Sequence, residues 1–322
     1  MGKTKIEWSE VTWNPVTGCS KVSPGCDHCY AETMSRRLSN NPKYALATKA
    51  DGTWSGVVSC HPEALEEPLR WKRPRRIFVC SMSDLFHSDI PWDFIVKVFD
   101  VMAATPWHTY QVLTKRPGRM AYFAEHIWPK QGGYWEPVEW TSPSRARVMD
   151  KWPGTAWPSN VWAGTSVETQ RYAPRLELLA RIPARVRFVS AEPLLGPLDL
   201  RDWLPGWCGA GSTHVPHSPA WAERYDIDWS PVNPVDWVIV GGESGPGARP
   251  MDLVWARDLV EQCRVAGVAC FVKQLGRNPF DSELLWDSVD GRGHLLLDPK
   301  GGDPWEWSED LRVREMPAEE RR

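Results

Sequence analysis

A recurring unit governs what this chain can fold into: a short β-branched or apolar run that ends in small, polar or charged residues. It occurs as IFVCSMSDLF (77–86), YQVLTKRP (110–117), VWAGTSVET (161–169), VRFVSAEPLL (186–195), DWVIVGGES (236–244) and ACFVKQLG (269–276). Runs that are apolar on both faces fit strands buried within a parallel sheet. Helical patterns intervene: AETMSRRLSN (31–40), PWDFIVKVFDVMAAT (91–105), QRYAPRLELLARI (170–182) and MDLVWARDLVEQCRVAG (251–267). Strand alternating with helix means βαβ units. With VTWNPVTG (11–18) as a first strand there are about seven of them. The expected fold class is α/β, a partial or complete parallel (β/α) barrel of TIM-like kind, with a doubly wound sheet as the alternative.

Two stretches break this rhythm. Residues 128–160 and 203–235 are rich in Trp, Pro and Gly, show no period, and read as insertions. The expected organisation is a barrel over 1–276 carrying both insertions, with a polar C-terminal extension, 277–322, packed on it. Hydrophobic residues at 42% and charged residues at 25% exclude wholesale disorder. No segment approaches the roughly 18 apolar residues of a membrane span. The opening MGKTKIEWSE lacks the apolar core of a secretory signal, and Ile6 breaks the myristoylation pattern. A cytoplasmic protein without a membrane partner is expected. A formal charge of −3 excludes a whole-chain polycation, so any nucleic-acid site has to be a local patch.

The chain holds 8 Cys and 21 Trp. In the expected compartment, cysteines read first as metal ligands, redox groups or buried thiols. Only Cys19, Cys26 and Cys29 cluster, in TGCSKVSPGCDHCYAE, with six and then two residues between them. They follow the first strand and precede the first helix, so in a barrel they lie at the face where active sites form. Three thiolates can hold three irons of a [4Fe–4S] cluster and leave the fourth open. The alternatives are a zinc site, with His28 or His61 as fourth ligand, and unrelated buried thiols. His28, between Cys26 and Cys29, is poorly placed to join the same tetrahedron. Cys208, His214 and His217 in the second insertion fit no standard metal spacing and read as loop.

Taken together, WNPVTGCSKVSPGCDHCYAE, CSMSDLF, VLTKRP, GTSVE, VSAEPLLGP, GGESGPGARPM, VKQLG and GGDPWEWSEDLRVREMP carry a resemblance over nearly the whole chain. The sequence resembles the phage-encoded three-cysteine-motif proteins, a family similar to radical S-adenosylmethionine (SAM) enzymes and, more distantly, to spore photoproduct lyase. The resemblance implies a radical-SAM-like barrel with a [4Fe–4S] cluster on Cys19, Cys26 and Cys29. It further implies that the open iron chelates the amino and carboxylate groups of SAM. A reductant protein would then supply the electron that releases methionine and a 5′-deoxyadenosyl radical. The usual radical-SAM spacing is three residues then two, and this chain departs from it. His28 stands where the family places an aromatic contact to adenine.

Polar residues end every strand. Ser81, Ser83 and Asp84 follow the second, where the resemblance places the methionine ammonium; Asp84 could equally cap the helix that begins at PWDF. Thr114, Lys115 and Arg116 end the third, and a cation pair there suits the methionine carboxylate or a phosphate. Ser166 and Glu168 end the fourth, at positions implied to bind ribose hydroxyls, and Ser190 and Glu192 end the fifth. Gly241, Gly242 and Glu243 end the sixth, where glycines permit close approach of a flat ligand. Lys273 and Gln274 end the seventh. Lys115, Glu243 and Lys273 are the catalytic candidates.

For a large partner, RWKRPRR offers Arg70, Lys72, Arg73, Arg75 and Arg76 to DNA or RNA phosphates, with Trp71 to stack on an unpaired base. Arg36, Arg37, Lys115, Arg116 and Arg119 reinforce this patch. Three functions compete. One is a radical-SAM-like enzyme acting in nucleic-acid or nucleotide modification or repair. Another is a metal-stabilised binding module beside a separate partner protein. The last is a barrel hydrolase using Glu168, Glu192 and Glu243.

Overall fold

A computed structural model describes residues 4, 6–128, 157–205, 235–283 and 296–318. Most of both expected insertions lies outside the described residues, as do Cys208, His214 and His217.

The recurring unit folds as expected into seven strands: β1 (Val11–Trp13), β2 (Arg76–Val79), β3 (Thr109–Thr114), β4 (Val161–Ser166), β5 (Arg187–Ala191), β6 (Trp237–Gly241) and β7 (Ala269–Gln274). They form one seven-stranded parallel sheet in chain order, consistent with a partial (β/α) barrel. A doubly wound sheet would reverse its order at a switch point, and this order never reverses. β4 and β6 are buried at every position, as strands covered on both faces must be.

Contacts divide the chain into two units. The first comprises Met1–Thr165 with Arg181–Arg185, and the second Ser166–Ala180 with Val186–Arg322.

In the first unit, β1 pairs with β2, β2 with β3 and β3 with β4. Among the described residues they are accompanied by α1 (Tyr30–Arg37), α2 (Trp92–Ala104) and α3 (Pro117–Tyr122), the last continuing as a π-helical turn over Phe123–Ile127. α2 is buried over most of its circumference, with Phe94, Val96 and Val101 covered as well as Ile95, Val98, Phe99 and Met102. Phe99 lies with its ring centroid 4.7 Å from Phe123, 5.4 Å from Trp128 and 4.9 Å from Trp157. Much of the tryptophan content is accounted for in this way, as core: Trp13, Trp128, Trp237 and Trp307 are among the largest fully buried side chains.

The first expected strand is shorter than its apolar run. Pro15 has no N–H to donate, so the ladder stops at Trp13. Val16–Thr17 then pairs antiparallel with Ser59–Cys60.

In the second unit, β5 pairs with β6 and β6 with β7. α4 is only Arg175–Ala180, preceded by a 3-10 turn at Gln170–Tyr172, because Pro174 interrupts the helical pattern of 170–182. α5 (Leu253–Ala266) opens on Asp252, whose carboxylate accepts the Val254 N–H. Residues 313–315 run beside β7: the Val272 N–H donates to the Val313 carbonyl and the Glu315 N–H to that of Cys270. No helix among the described residues is long and apolar enough to cross a membrane.

Candidate functional site

The first unit brings the ends of three parallel strands into one polar network. Past β1 the chain turns at Gly18, with φ +85°, where a Cβ would stand 2.1 Å from the Val57 carbonyl oxygen. Only glycine fits there. A parallel bridge joins Gly18 to Ser83, tying the cysteine loop to the segment that follows β2. Cys26 closes the short turn Pro24–Cys26, and Cys29 is the N-cap residue of α1.

Cys19, Cys26 and Cys29 are all half-buried free thiols. Cys19 Sγ lies 3.8 Å from Arg116 Nη1, and Cys26 Sγ lies 3.9 Å from Ser23 Oγ. Cys19 and Cys29 pack against a buried cluster containing Tyr44, Ala47, Trp54 and Met82. Burial pushes the Cys19 thiol up to about 12, and the Asp84 charge adds to this. Burial also raises Cys29, opposed by the Glu32 and Ala31 N–H groups and by Lys115.

Among the described residues, no three His, Cys, Asp or Glu side chains stand as a preformed metal-holding group. The donor chemistry nonetheless suits a thiolate-bound metal. A metal displaces thiol protons, and the resulting thiolates need positive partners. Arg116 supplies one beside Cys19 and Lys115 one near Cys29. The head of α1, with Cys29 at its N-cap, favours negative charge as well. His61 is engaged elsewhere, 2.8 Å from Thr17 Oγ1 and 3.3 Å from Glu63, and burial lowers its pKa. His28 is exposed on the loop between Cys26 and Cys29.

Cys80, which follows β2, has φ +59°, a conformation costly for a residue with a Cβ. Its N–H donates to the Trp13 carbonyl, and burial pushes its thiol up to about 12. The turn it makes leads into Ser81 to Asp84. Ser81 donates to Asn14 Oδ1 and Ser83 to the Val16 carbonyl. Tyr30, on α1, donates its hydroxyl to the Ser81 carbonyl at 2.6 Å.

Asp84 is the centre of the network. Its Oδ1 accepts from Thr114 Oγ1 at 2.7 Å and the Phe86 N–H at 2.9 Å. Its Oδ2 accepts from the Lys115 N–H at 3.1 Å and Arg116 Nη1 at 2.8 Å. Asp84 does not cap α2, whose N-cap residue is Pro91. Four donors from the chain saturate the carboxylate that was expected to receive a ligand ammonium.

Arg116 is similarly committed. Its Nη2 donates to the Ser20 carbonyl at 3.0 Å and to Ser20 Oγ at 2.9 Å, while Nη1 holds Asp84. Burial works against its charge, but Asp84 and Cys19 keep it above its usual range. It orders the cysteine loop by holding Asp84 and Ser20 at once.

In the second unit each strand-end carboxylate has its own cation. Glu168, fully buried, pairs with Arg175 at 3.0 Å, and the same guanidinium donates to the Ser166 carbonyl at 2.7 Å. Glu192 pairs with Lys273. Glu243 holds Arg249 through both oxygens, at 2.5 and 3.0 Å. Ser190 is buried, its carbonyl accepting the Val167 N–H. A hydrolase needs one carboxylic acid and one carboxylate at the scissile bond; three separate ion pairs do not present that.

The glycines have a packing reason. A Cβ on Gly242 would lie 2.3 Å from the Leu275 carbonyl oxygen, while one on Gly241 would meet Glu192 and Gln274 at ordinary contact distance. The Gln274 side chain donates to the Gly242 carbonyl and the Gly242 N–H donates to that of Gln274, so β6 and β7 exit locked together.

The basic stretch is corrected in its central feature. Trp71 is buried, edge-on to His108 with ring centroids 5.9 Å apart, and offers no face to a base. Arg70 is exposed and pairs with Glu66, Lys72 and Arg73 are exposed, and Arg75 and Arg76 are half-buried. Arg36 and Arg37 are exposed on α1, but Arg119 donates to the His87 and Ile90 carbonyls and packs 4.0 Å from the Trp92 ring.

The network also contains residues the spacing did not single out: Asn14, Ser20, Tyr30 and His87. Ser20 carries only its adjacency to Cys19 as a signal, and His87 only its place just past the SDLF segment. No curated protein and no solved structure matches this chain. A family model does match, over residues 3–298. That span covers most of the sequence, and the chain belongs to the family described as protein of unknown function (DUF5131).

Proposed function

We propose that this protein is an iron–sulfur enzyme of radical-SAM-like type. One observation carries the reading: three free thiols lie on the loop after β1, with the head of α1 and two cations from the end of β3 beside them. The sequence's resemblance to phage-encoded three-cysteine-motif proteins supports it. A [4Fe–4S] cluster bound by Cys19, Cys26 and Cys29 would supply the electron that cleaves SAM to methionine and a 5′-deoxyadenosyl radical.

The chain's own part is to hold and orient. Asp84 clamps Thr114, Lys115 and Arg116, and Arg116 in turn clamps the backbone and side chain of Ser20. Lys115 is the cation proposed to meet a ligand anion. Exposed Lys72 and Arg73 are the part of the basic run proposed to reach a nucleic-acid substrate.

The test is anaerobic reconstitution with iron and sulfide, followed by reduction in the presence of SAM. The expected products are methionine and 5′-deoxyadenosine, both lost when Cys19, Cys26 and Cys29 are replaced together by Ala. Cluster assembly without SAM cleavage would overturn the enzymatic reading, and zinc in protein purified without oxygen would overturn the cluster.

A further inference from the structure

The hydrogen bonds around Ser20 fix the direction of its hydroxyl. The Asp89 N–H donates to His87 Nδ1 at 3.2 Å, so that nitrogen is an acceptor and the ring proton resides on Nε2. His87 Nε2 lies 2.7 Å from Ser20 Oγ and must therefore donate to it. Arg116 Nη2 donates to the same oxygen at 2.9 Å. Both lone pairs of Ser20 Oγ are thus occupied, and its own hydrogen has no acceptor among the described residues. Ser20 is half-exposed and adjoins Cys19.

A hydroxyl accepting two hydrogen bonds, one from a guanidinium, is a polarised donor that can no longer act as an acceptor. We propose that Ser20 is a dedicated hydrogen-bond donor to an anionic oxygen, a carboxylate, of the molecule bound beside Cys19. Arg116 and His87 are positioning residues for it: they fill the oxygen's acceptor capacity and aim the proton outward. Given the proposed function, on which this inference rests, that carboxylate is the one on the methionyl moiety of SAM. The arrangement reassigns the role expected of Arg116, whose terminal N–H groups are spent on Asp84 and Ser20.

The experiment compares binding of SAM and of decarboxylated SAM to the anaerobically reconstituted wild type, S20A and S20T, with iron content measured for each. Loss of a hydrogen bond to a charged oxygen predicts SAM binding about tenfold to a hundredfold weaker in S20A. S20T, which keeps the hydroxyl, retains the wild-type value, and decarboxylated SAM binds wild type and S20A alike. Equal SAM affinity in S20A and wild type at equal iron content overturns the assignment while leaving the proposed function standing. Parallel weakening of both ligands overturns it too, since a disturbed loop spares neither. A wild type that binds iron but no SAM overturns the proposed function and this inference together.

Discussion

The most exacting structural prediction concerns Asp84. Its side chain is 8% exposed and that of Arg116 14%, and they meet at 2.8 Å. Replacing Asp84 by Ala leaves a largely buried guanidinium without its counter-charge and removes the acceptor of Thr114 Oγ1 and the Phe86 and Lys115 N–H groups. Removing one partner of a buried pair costs about 3–5 kcal/mol, far above the typical loss of about 1 kcal/mol for a point substitution. D84N keeps an acceptor for Thr114 and Phe86 but turns an amide toward Lys115 and Arg116, so it falls between D84A and wild type. R116A removes the charge that D84A would strand, so the double variant D84A/R116A is more stable than the two single losses added together. Denaturant unfolding of the full chain, followed by tryptophan fluorescence, measures the wild type and all four variants. A D84A loss below about 1 kcal/mol, with strictly additive single effects, would refute the view of Asp84 as a saturated anchor.

Three further outcomes follow from the geometry. G242A places a Cβ against the Leu275 backbone and should cost about 3 kcal/mol or more, while G241A, at ordinary contact distance, should cost under about 1 kcal/mol; thermal unfolding distinguishes them. His61, His87 and His108 are each held below the usual histidine value, chiefly by burial, so the unfolded chain binds protons more readily than the folded one. Stability from this source is present above about pH 6.5 and lost as pH falls below it; a chain equally stable at pH 7.5 and 5.5 would contradict this. W71A should lower stability by about 3–5 kcal/mol, because Trp71 is core, whereas K72A and R73A should leave it unchanged. In a salt-dependent gel shift, only the two cation variants should weaken any nucleic-acid binding.

What the sequence made legible was periodic. PWDFIVKVFDVMAAT and MDLVWARDLVEQCRVAG became α2 and α5 within a residue or two at each end, because their apolar spacing and flanking signals agree. The six later strand runs became strands in chain order. Boundaries failed where proline intervened: Pro15 ended β1 early and Pro174 shortened α4. Polar strand ends were legible as a class, but their pairings were not. Glu192 meets Lys273 across 81 residues, and Asp84 meets Arg116 across 32. No local pattern encodes such partners. Carboxylates expected to hold a ligand prove to hold arginine or lysine, and a tryptophan expected to stack on a base is buried against a histidine. Ser20 and His87 belong to the site through hydrogen bonding alone, a property visible only once three strand ends converge.

The proposed function requires Cys19, Cys26 and Cys29 to bind a cluster with one iron open to SAM. Electron paramagnetic resonance on oxygen-free, reconstituted and reduced protein, with iron quantified, tests it most directly. About four irons per chain and a reduced-cluster signal that changes when SAM is added are the expected result. A full complement of iron with a signal indifferent to SAM, or protein that binds zinc and leaves iron unbound, would contradict it.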